Sequence, residues 1–170
     1  LPKTKPGDTA TVDGPYGRFS HVIRSWPGEA LLLVAGGVGV TPMLSMLRHL
    51  HDVEPGRRVT LIWVNRKLRD IFARDELERM KQRMPELAVH HVLTEEPDWD
   101  GEVGRLEVRT LVRLLDERDR AARVFLCGPP AMMASARSKL RTFGIVHPLW
   151  RGLRTIACIF LVLATFSGFT

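Results

Sequence analysis

The feature that most constrains this chain is an apolar run that ends in glycines. It reads Leu31-Leu32-Leu33-Val34-Ala35, then Gly36-Gly37-Val38-Gly39-Val40, then Thr41-Pro42-Met43. An unbroken apolar run is a strand covered on both faces, because a strand with one face in water alternates apolar and polar residues. Thr41 reads as the N-cap of the helix that follows, and Pro42 as its first residue, where no backbone N–H is needed. Strand, glycine turn and helix start together offer unfilled N–H groups, a favourable dipole and approachable backbone, which suits an anion. Gly36, Gly37, Gly39, Thr41 and Pro42 are the candidate binding residues. Gly37-x-Gly39 lacks the last glycine of the common dinucleotide fingerprint, with Pro42 in its place, so a tight turn with no ligand fits these residues too.

Downstream, strands and helices alternate. Val59-Thr60-Leu61-Ile62-Trp63-Val64, Leu87 to Leu93 and Arg123-Val124-Phe125-Leu126-Cys127 read as further strands. Leu44, Leu47 and Leu50 mark a helix over 41–51, and Leu77, Met80 and Met84 mark one over 73–84 that Pro85 stops. Leu111, Leu114 and Leu115 mark a helix over 109–116; Met133, Ala136 and Leu140 mark a last one, with Gly144 as its C-cap. Repeated strand–helix units with short loops predict a doubly wound parallel α/β sheet with helices on both faces. Ligands of such sheets lie beyond the carboxyl ends of the strands. Gly36 to Gly39, Asn65-Arg66-Lys67 and Gly128-Pro129-Pro130 all fall at that edge, aimed at one crevice.

The 170 residues suffice for one domain with a core and part of another. The net charge of +6 is spread partly as single arginines on helices, such as Arg48, Arg79, Arg113 and Arg137. No basic stripe is interleaved with aromatics, which argues against nucleic acid, whereas a phosphate-rich cofactor or an anionic membrane surface suits the sign. Cys127 and Cys158 form neither a disulfide framework nor a zinc pattern, which points to a reducing compartment. His90 and His91 read as solvated strand-edge histidines rather than metal ligands, and no metal site is expected. Residue 1 is Leu, no signal peptide is present, and an upstream region is expected. Residues 1–30 read as the tail of another unit, with a turn at Lys5-Pro6-Gly7-Asp8, a Gly/Pro loop at Gly14-Pro15-Tyr16-Gly17 and a linker over 24–29.

Gly14-Pro15-Tyr16-Gly17, Ala35-Gly36-Gly37-Val38-Gly39-Val40-Thr41-Pro42 and Cys127-Gly128-Pro129-Pro130-Ala131-Met132-Met133, in this order and spacing, resemble the ferredoxin–NADP reductase superfamily. Trp99-x-Gly101-x-x-Gly104-Arg105 resembles that family's loop and short strand after the third sheet position, which brings the sheet to about five strands. The resemblance covers roughly residues 1–145. It implies a flavoenzyme in which an antiparallel barrel binds FAD or FMN and the α/β domain binds NAD or NADP. Hydride passes from nicotinamide to flavin, and electrons leave to an acceptor. On this chain the pyrophosphate loop falls on Gly36, Gly37 and Gly39, and the nicotinamide side on Thr41 and Pro42. Cys127 falls beside the nicotinamide, so Cys127 and Thr41 are the expected catalytic positions; a buried thiol acting as a small hydrophobe is the alternative for Cys127. Gly128, Pro129, Pro130 and Met132 shape the pocket wall, and Gly14 to Gly17 close the flavin barrel. Asn65 and Arg66 fall where such folds meet the adenosine ribose. A cation there suits the 2′-phosphate of NADPH, but it also reads as a solvated charge run, and NADH users of the family carry an arginine nearby.

The expected organisation is a barrel remnant over 1–28, the NAD(P)-binding domain over 29–146 and a hydrophobic tail over 147–170. The family's flavin-binding Arg-x-Tyr-Ser/Thr segment lies upstream of Gly14 and is not in this chain, so a partner FAD-binding domain is expected. Thr155 to Thr170 is uncharged and follows Arg151 and Arg154. As a helix it spans about 24 Å against the roughly 30 Å of a bilayer core. The start of a membrane span, an aberrant end and a cover for the sheet edge all fit it. The expected location is the cytoplasm or the inner face of a membrane. The acceptor stays open among iron–sulfur protein, haem, ferric chelate and oxygen. The alternative function is a non-catalytic or electron-delivery module of a membrane-associated complex.

Overall fold

The computed structural model describes Lys5, Gly7, Thr9, residues 19–22 and residues 30–145. The expected barrel remnant and the tail lie almost wholly outside these residues, as do Gly14, Pro15, Tyr16 and Gly17.

The apolar runs form the strands. β1 (Ala30–Gly36), β2 (Arg58–Asn65), β3 (Leu87–Leu93), β4 (Glu102–Val103) and β5 (Arg123–Cys127) make one sheet in the order β4-β3-β2-β1-β5. Every pairing is parallel. The short strand implied by resemblance is β4, which pairs only with Val92 and Leu93 of β3. β1 lies between β2 and β5, and all of its residues are buried, as its unbroken apolar run requires.

Four helices complete the layers: α1 (Thr41–Val53), α2 (Arg74–Arg83), α3 (Val108–Leu114) and α4 (Pro130–Phe143). Alternate strand residues face opposite ways. Leu31, Leu33, Leu61 and Trp63 pack with Met43, Leu47 and Leu50 of α1 and Leu77 of α2. Leu32, Val34, Ile62 and Val92 pack on the other face with Leu111 of α3 and Ala136 and Leu140 of α4. Right-handed crossovers dictate this division, because from β1 the chain winds outward through β2 and β3 and then returns to place β5 on the far side of β1. The winding reverses between β1 and β5, and the crevice opens at their carboxyl ends.

At the opposite edge, Asp119 is a buried carboxylate in a 3-10 turn between α3 and β5. It accepts from the Thr60 hydroxyl at 3.2 Å and from Arg58 Nε and Nη2, each at 3.3 Å. The start of β2 is thereby tied to the approach to β5.

The histidines of β3 differ from the expectation. The strand is open on one side at His90 and His91, but both side chains are half-buried rather than solvated. The His91 ring lies 5.6 Å from that of Trp63. Burial, with help from Arg74 and Lys81, pushes its pKa down to about 4. Burial likewise lowers that of His90. A two-residue β4 leaves the strand edge open while the helices still cover its faces.

Candidate functional site

β1 and β5 end side by side, with Ala35 in register with Cys127. Their connections touch. A Cβ on Gly39 would stand 2.6 Å from the Cys127 carbonyl carbon and 2.9 Å from the Gly128 nitrogen. One on Gly128 would stand 3.0 Å from the Gly36 nitrogen, and one on Gly36 would meet Pro129 Cδ at 3.0 Å. The Met132 methyl crowds the same position on both Gly36 and Gly128. Gly39 is therefore required by the approach of one turn to the other, and Gly36 and Gly128 are crowded by the same approach, a reason that no motif discloses. Gly37 is different. Its φ is +53° and no atom comes within 4 Å of its missing Cβ, so this glycine supplies the left-handed turn and faces open space.

The turn itself is helical. Gly37–Val40 form a 3-10 turn that runs straight into α1, with extended Gly36 (φ −119°, ψ 117°) as its cap. Thr41 and Pro42, expected as N-cap and first residue, are instead the first two residues of α1. Val40 ahead of them is already helical, and the Thr41 N–H is bonded to the Val38 carbonyl. Helical turning thus begins ahead of Thr41, just after left-handed Gly37, and the unfilled donors move back into the glycine turn. No side chain caps it, so the N–H groups of its first residues have no partner within the turn.

The neighbouring strand end holds the turn in place. Trp63 on β2 is fully buried, and its Nε1–H donates to the Gly37 carbonyl at 2.9 Å. Phe72, in the β2–α2 connection, sets its ring edge-on to Trp63 at 5.2 Å and is itself 60 % exposed. Asn65 closes β2. Its carbonyl accepts from the Thr94 N–H at 3.0 Å and from the Thr94 hydroxyl at 3.3 Å. Its side chain is only 4 % exposed, yet neither amide atom has a hydrogen-bond partner among the described residues. A buried amide left unpaired is costly, so this side chain has hydrogen-bonding capacity to offer an outside polar group. Arg66 beyond it is exposed, its guanidinium 3.7 Å from Glu95.

The remaining candidates fall around the same edge. Cys127 is buried, packed in the core layer beneath α1. Pro130 starts α4 after extended Pro129, and no side chain caps that helix either. The structure thus brings Gly36, Gly37, Gly39, Cys127, Gly128, Pro129 and Met132 into one cluster, with Thr41, Pro42 and Pro130 at the helix starts beside it. Asn65 and Arg66 lie one strand away, joined to the cluster through Trp63. Such an edge can hold an anion on backbone N–H groups, a polar group on Asn65 and a flat ring on Phe72.

A family model described as "Oxidoreductase NAD-binding domain" matches residues 33–138. The chain belongs to this family. Among curated relatives, this NAD-binding domain is 35% identical to the plasma membrane-associated coenzyme Q6 reductase of Saccharomyces cerevisiae, over 74% of this chain and 40% of the relative. It is 34% identical to NADH-cytochrome b5 reductase 1 of Mortierella alpina, over 79% of this chain and 45% of the relative. The chain spans about half or less of the length of the curated relatives it matches. Among solved structures, the flavohemoglobin of Malassezia yamatoensis with bound FAD and haem matches at a TM-score of 0.66 and 34% identity, over 78% of this chain and 33% of that one. The resemblance to the ferredoxin–NADP reductase superfamily read from the motifs agrees with these matches.

Trp63 and Phe72 escaped the sequence reading of the NAD-binding domain. The signal for Trp63 was present: a tryptophan in a central strand carries an N–H that must find an acceptor when buried. It stands opposite Ala35, just below the glycine turn. Phe72 gave no signal, since its exposure depends on the 3-10 turn at Leu68–Asp70 that precedes it.

Proposed function

We propose that this chain is the NAD(P)H-binding portion of a flavin-dependent oxidoreductase that passes hydride from NAD(P)H to FAD and then electrons to an acceptor. The observation that carries the reading is the contact between the β1 and β5 turns, with Gly37 open above it and the turn's N–H groups uncapped. The pyrophosphate lies over Gly36, Gly37 and Gly39. Thr41 and Pro42 would line the nicotinamide side, with Cys127 beside the ring and Gly128, Pro129, Pro130 and Met132 shaping the pocket wall. Asn65 and Arg66 meet the adenosine ribose, and the exposed ring of Phe72 offers the adenine a stacking face.

When bound, the reduced nicotinamide supplies the hydride and FAD accepts it; the chain's own work is to bind, orient and exclude water. Gly14, Pro15, Tyr16 and Gly17 belong to the flavin side of the cleft by resemblance, and a partner FAD-binding domain completes that side. The names of the relatives favour a haem protein such as cytochrome b5, or a quinone, as acceptor. Among the described residues no helix is long and apolar enough to cross a membrane. Attachment to a membrane through residues 155–170 is a reading that the name of the plasma-membrane relative favours.

Calorimetric titration of the chain with NADH and NADPH tests the reading. Saturable binding of either in the micromolar-to-millimolar range is expected, with a preference for NADPH if Arg66 meets the 2′-phosphate. Binding of neither overturns it.

A further inference from the structure

We propose that Trp63 is a positioning residue for the dinucleotide: its indole N–H, by holding the Gly37 carbonyl inward, turns the Val38 N–H outward onto the pyrophosphate. The inference rests on the reading that the dinucleotide lies over the glycine turn, and it goes beyond it by assigning the orientation of that turn to a side chain in the core.

In a trans peptide the carbonyl of one residue and the N–H of the next point in opposite directions across a rigid plane. The peptide between Gly37 and Val38 is therefore aimed by whatever holds either end. Trp63 Nε1 holds the oxygen end at 2.9 Å from within the sheet. The opposite end, the Val38 N–H, must then point away from β2. Val38 is 75 % exposed, and no side chain caps this turn. Gly37 itself gives no steric resistance to rotation of that peptide, since nothing lies within 4 Å of its missing Cβ and glycine populates both signs of φ. The i→i+3 bonding of the 3-10 turn shapes this peptide from within, and the indole N–H adds an anchor from outside the turn.

The anchor is rigid. Trp63 is fully buried, with Phe72 edge-on to its ring at 5.2 Å and His91 at 5.6 Å. Parallel pairing sets Trp63 beside Ala35, so its ring stands directly below the turn. The indole cannot follow the Gly37 carbonyl if that peptide flips, and a flip would leave a buried donor unpaired, which disfavours it. The Val38 N–H is in this way pre-organised, and the ligand need not order it on binding.

Trp63→Phe tests the proposal, because phenylalanine keeps an aromatic ring against Phe72 and His91 but removes the N–H. The affinity of the chain for ADP-ribose, which carries the pyrophosphate, is measured by calorimetry for wild type, Trp63→Phe and Leu77→Ala. Leu77 is a core residue of α2, in the same core layer as Trp63 but outside the glycine turn. It controls for general loosening of the fold. The Val38 amide is followed in parallel by nitrogen-15 NMR. The expected result is a roughly fivefold to tenfold loss of ADP-ribose affinity in Trp63→Phe. The ligand-induced shift of the Val38 amide, present in wild type, should shrink with it, while Leu77→Ala keeps wild-type affinity in spite of lower stability. Equal affinity of Trp63→Phe and wild type, a loss no greater than that of Leu77→Ala, or a Val38 amide that does not respond to ligand would each overturn the assignment. If wild type itself fails to bind ADP-ribose and NADH, the underlying functional reading fails as well, and the two failures are thereby told apart.

Discussion

Gly39→Ala puts the contact between the two turns to a direct test. The added methyl would stand 2.6 Å from the Cys127 carbonyl carbon and 2.9 Å from the Gly128 nitrogen, and nearer still to the Cys127 oxygen. All of these are backbone atoms of β5 and its turn, so no flexible side chain can swing aside. Overpacking a tight site costs about 1–3 kcal/mol, and the absence of any yielding neighbour places this variant at about 3 kcal/mol. For a chain of this size that corresponds to a fall in Tm of about 6–12 °C. Gly56→Ala is the matched control. Nothing lies within 4 Å of its missing Cβ and its φ is not in the left-handed region. It should be neutral or stabilising by up to about 1 kcal/mol, through the unfolded chain. Thermal unfolding followed by circular dichroism reads both. The same Gly39→Ala protein, kept well below its transition, should also bind NADH more weakly, because the turns are forced apart. If Gly39→Ala melts with Gly56→Ala, the turns do not meet and the site must be rebuilt from other residues.

Asp119→Ala should lower stability by about 2–3 kcal/mol in urea unfolding. That is the scale of one set of hydrogen bonds to a charged group, because Arg58 retains Asp116 at 2.7 Å and Glu86 at 3.3 Å. Stability should also fall as pH drops from about 6.5 toward 4, since the unfolded chain protonates His91 near the ordinary value of 6.5 and the folded protein only near 4. Below that window the loss levels off. Among the groups facing His91, Arg74, Lys81 and His90 disfavour its charge and Glu78 favours it. In His91→Gln the slope should be shallower but not absent, His90 being shifted in the same direction. Asn65→Leu should leave Tm unchanged or raise it, by removing a buried amide that no described residue satisfies, while NADH affinity falls several-fold. A parallel loss of stability and binding would show instead that Asn65 is structural.

The strands were legible because their apolar runs lie at the centre of the sheet. β3 and β5 keep the expected bounds, and β1 and β2 extend them by a residue at each end. Glycine turns at the carboxyl edge were legible for the same reason, since strand direction alone puts them there. What could not be read was the purpose of each glycine. Gly36, Gly39 and Gly128 touch partners distant in sequence, and only the pairing of β1 with β5 brings those partners together. The helix over 41–51 does begin at Thr41, but its cap falls one residue earlier than the local Thr-Pro signal suggests, because the 3-10 turn before it makes Val40 already helical. His90 and His91 looked solvated because polar residues in a strand usually face water; here both are half-buried, His91 with its ring beside that of Trp63.

The adjacency of β1 and β5 joins the earliest long strand of the domain to the latest. A nascent chain that has emerged only as far as β4 holds one turn of the crevice and no counterpart for it. With the dinucleotide across both turns, as proposed, cofactor capture should wait for the last strand, and a product cut short before residue 123 should bind no dinucleotide however well its other strands assemble. Once bound, a dinucleotide spanning both turns clasps the two ends of the domain's sequence together, so saturating ligand should delay unfolding of the whole sheet rather than of the turn alone.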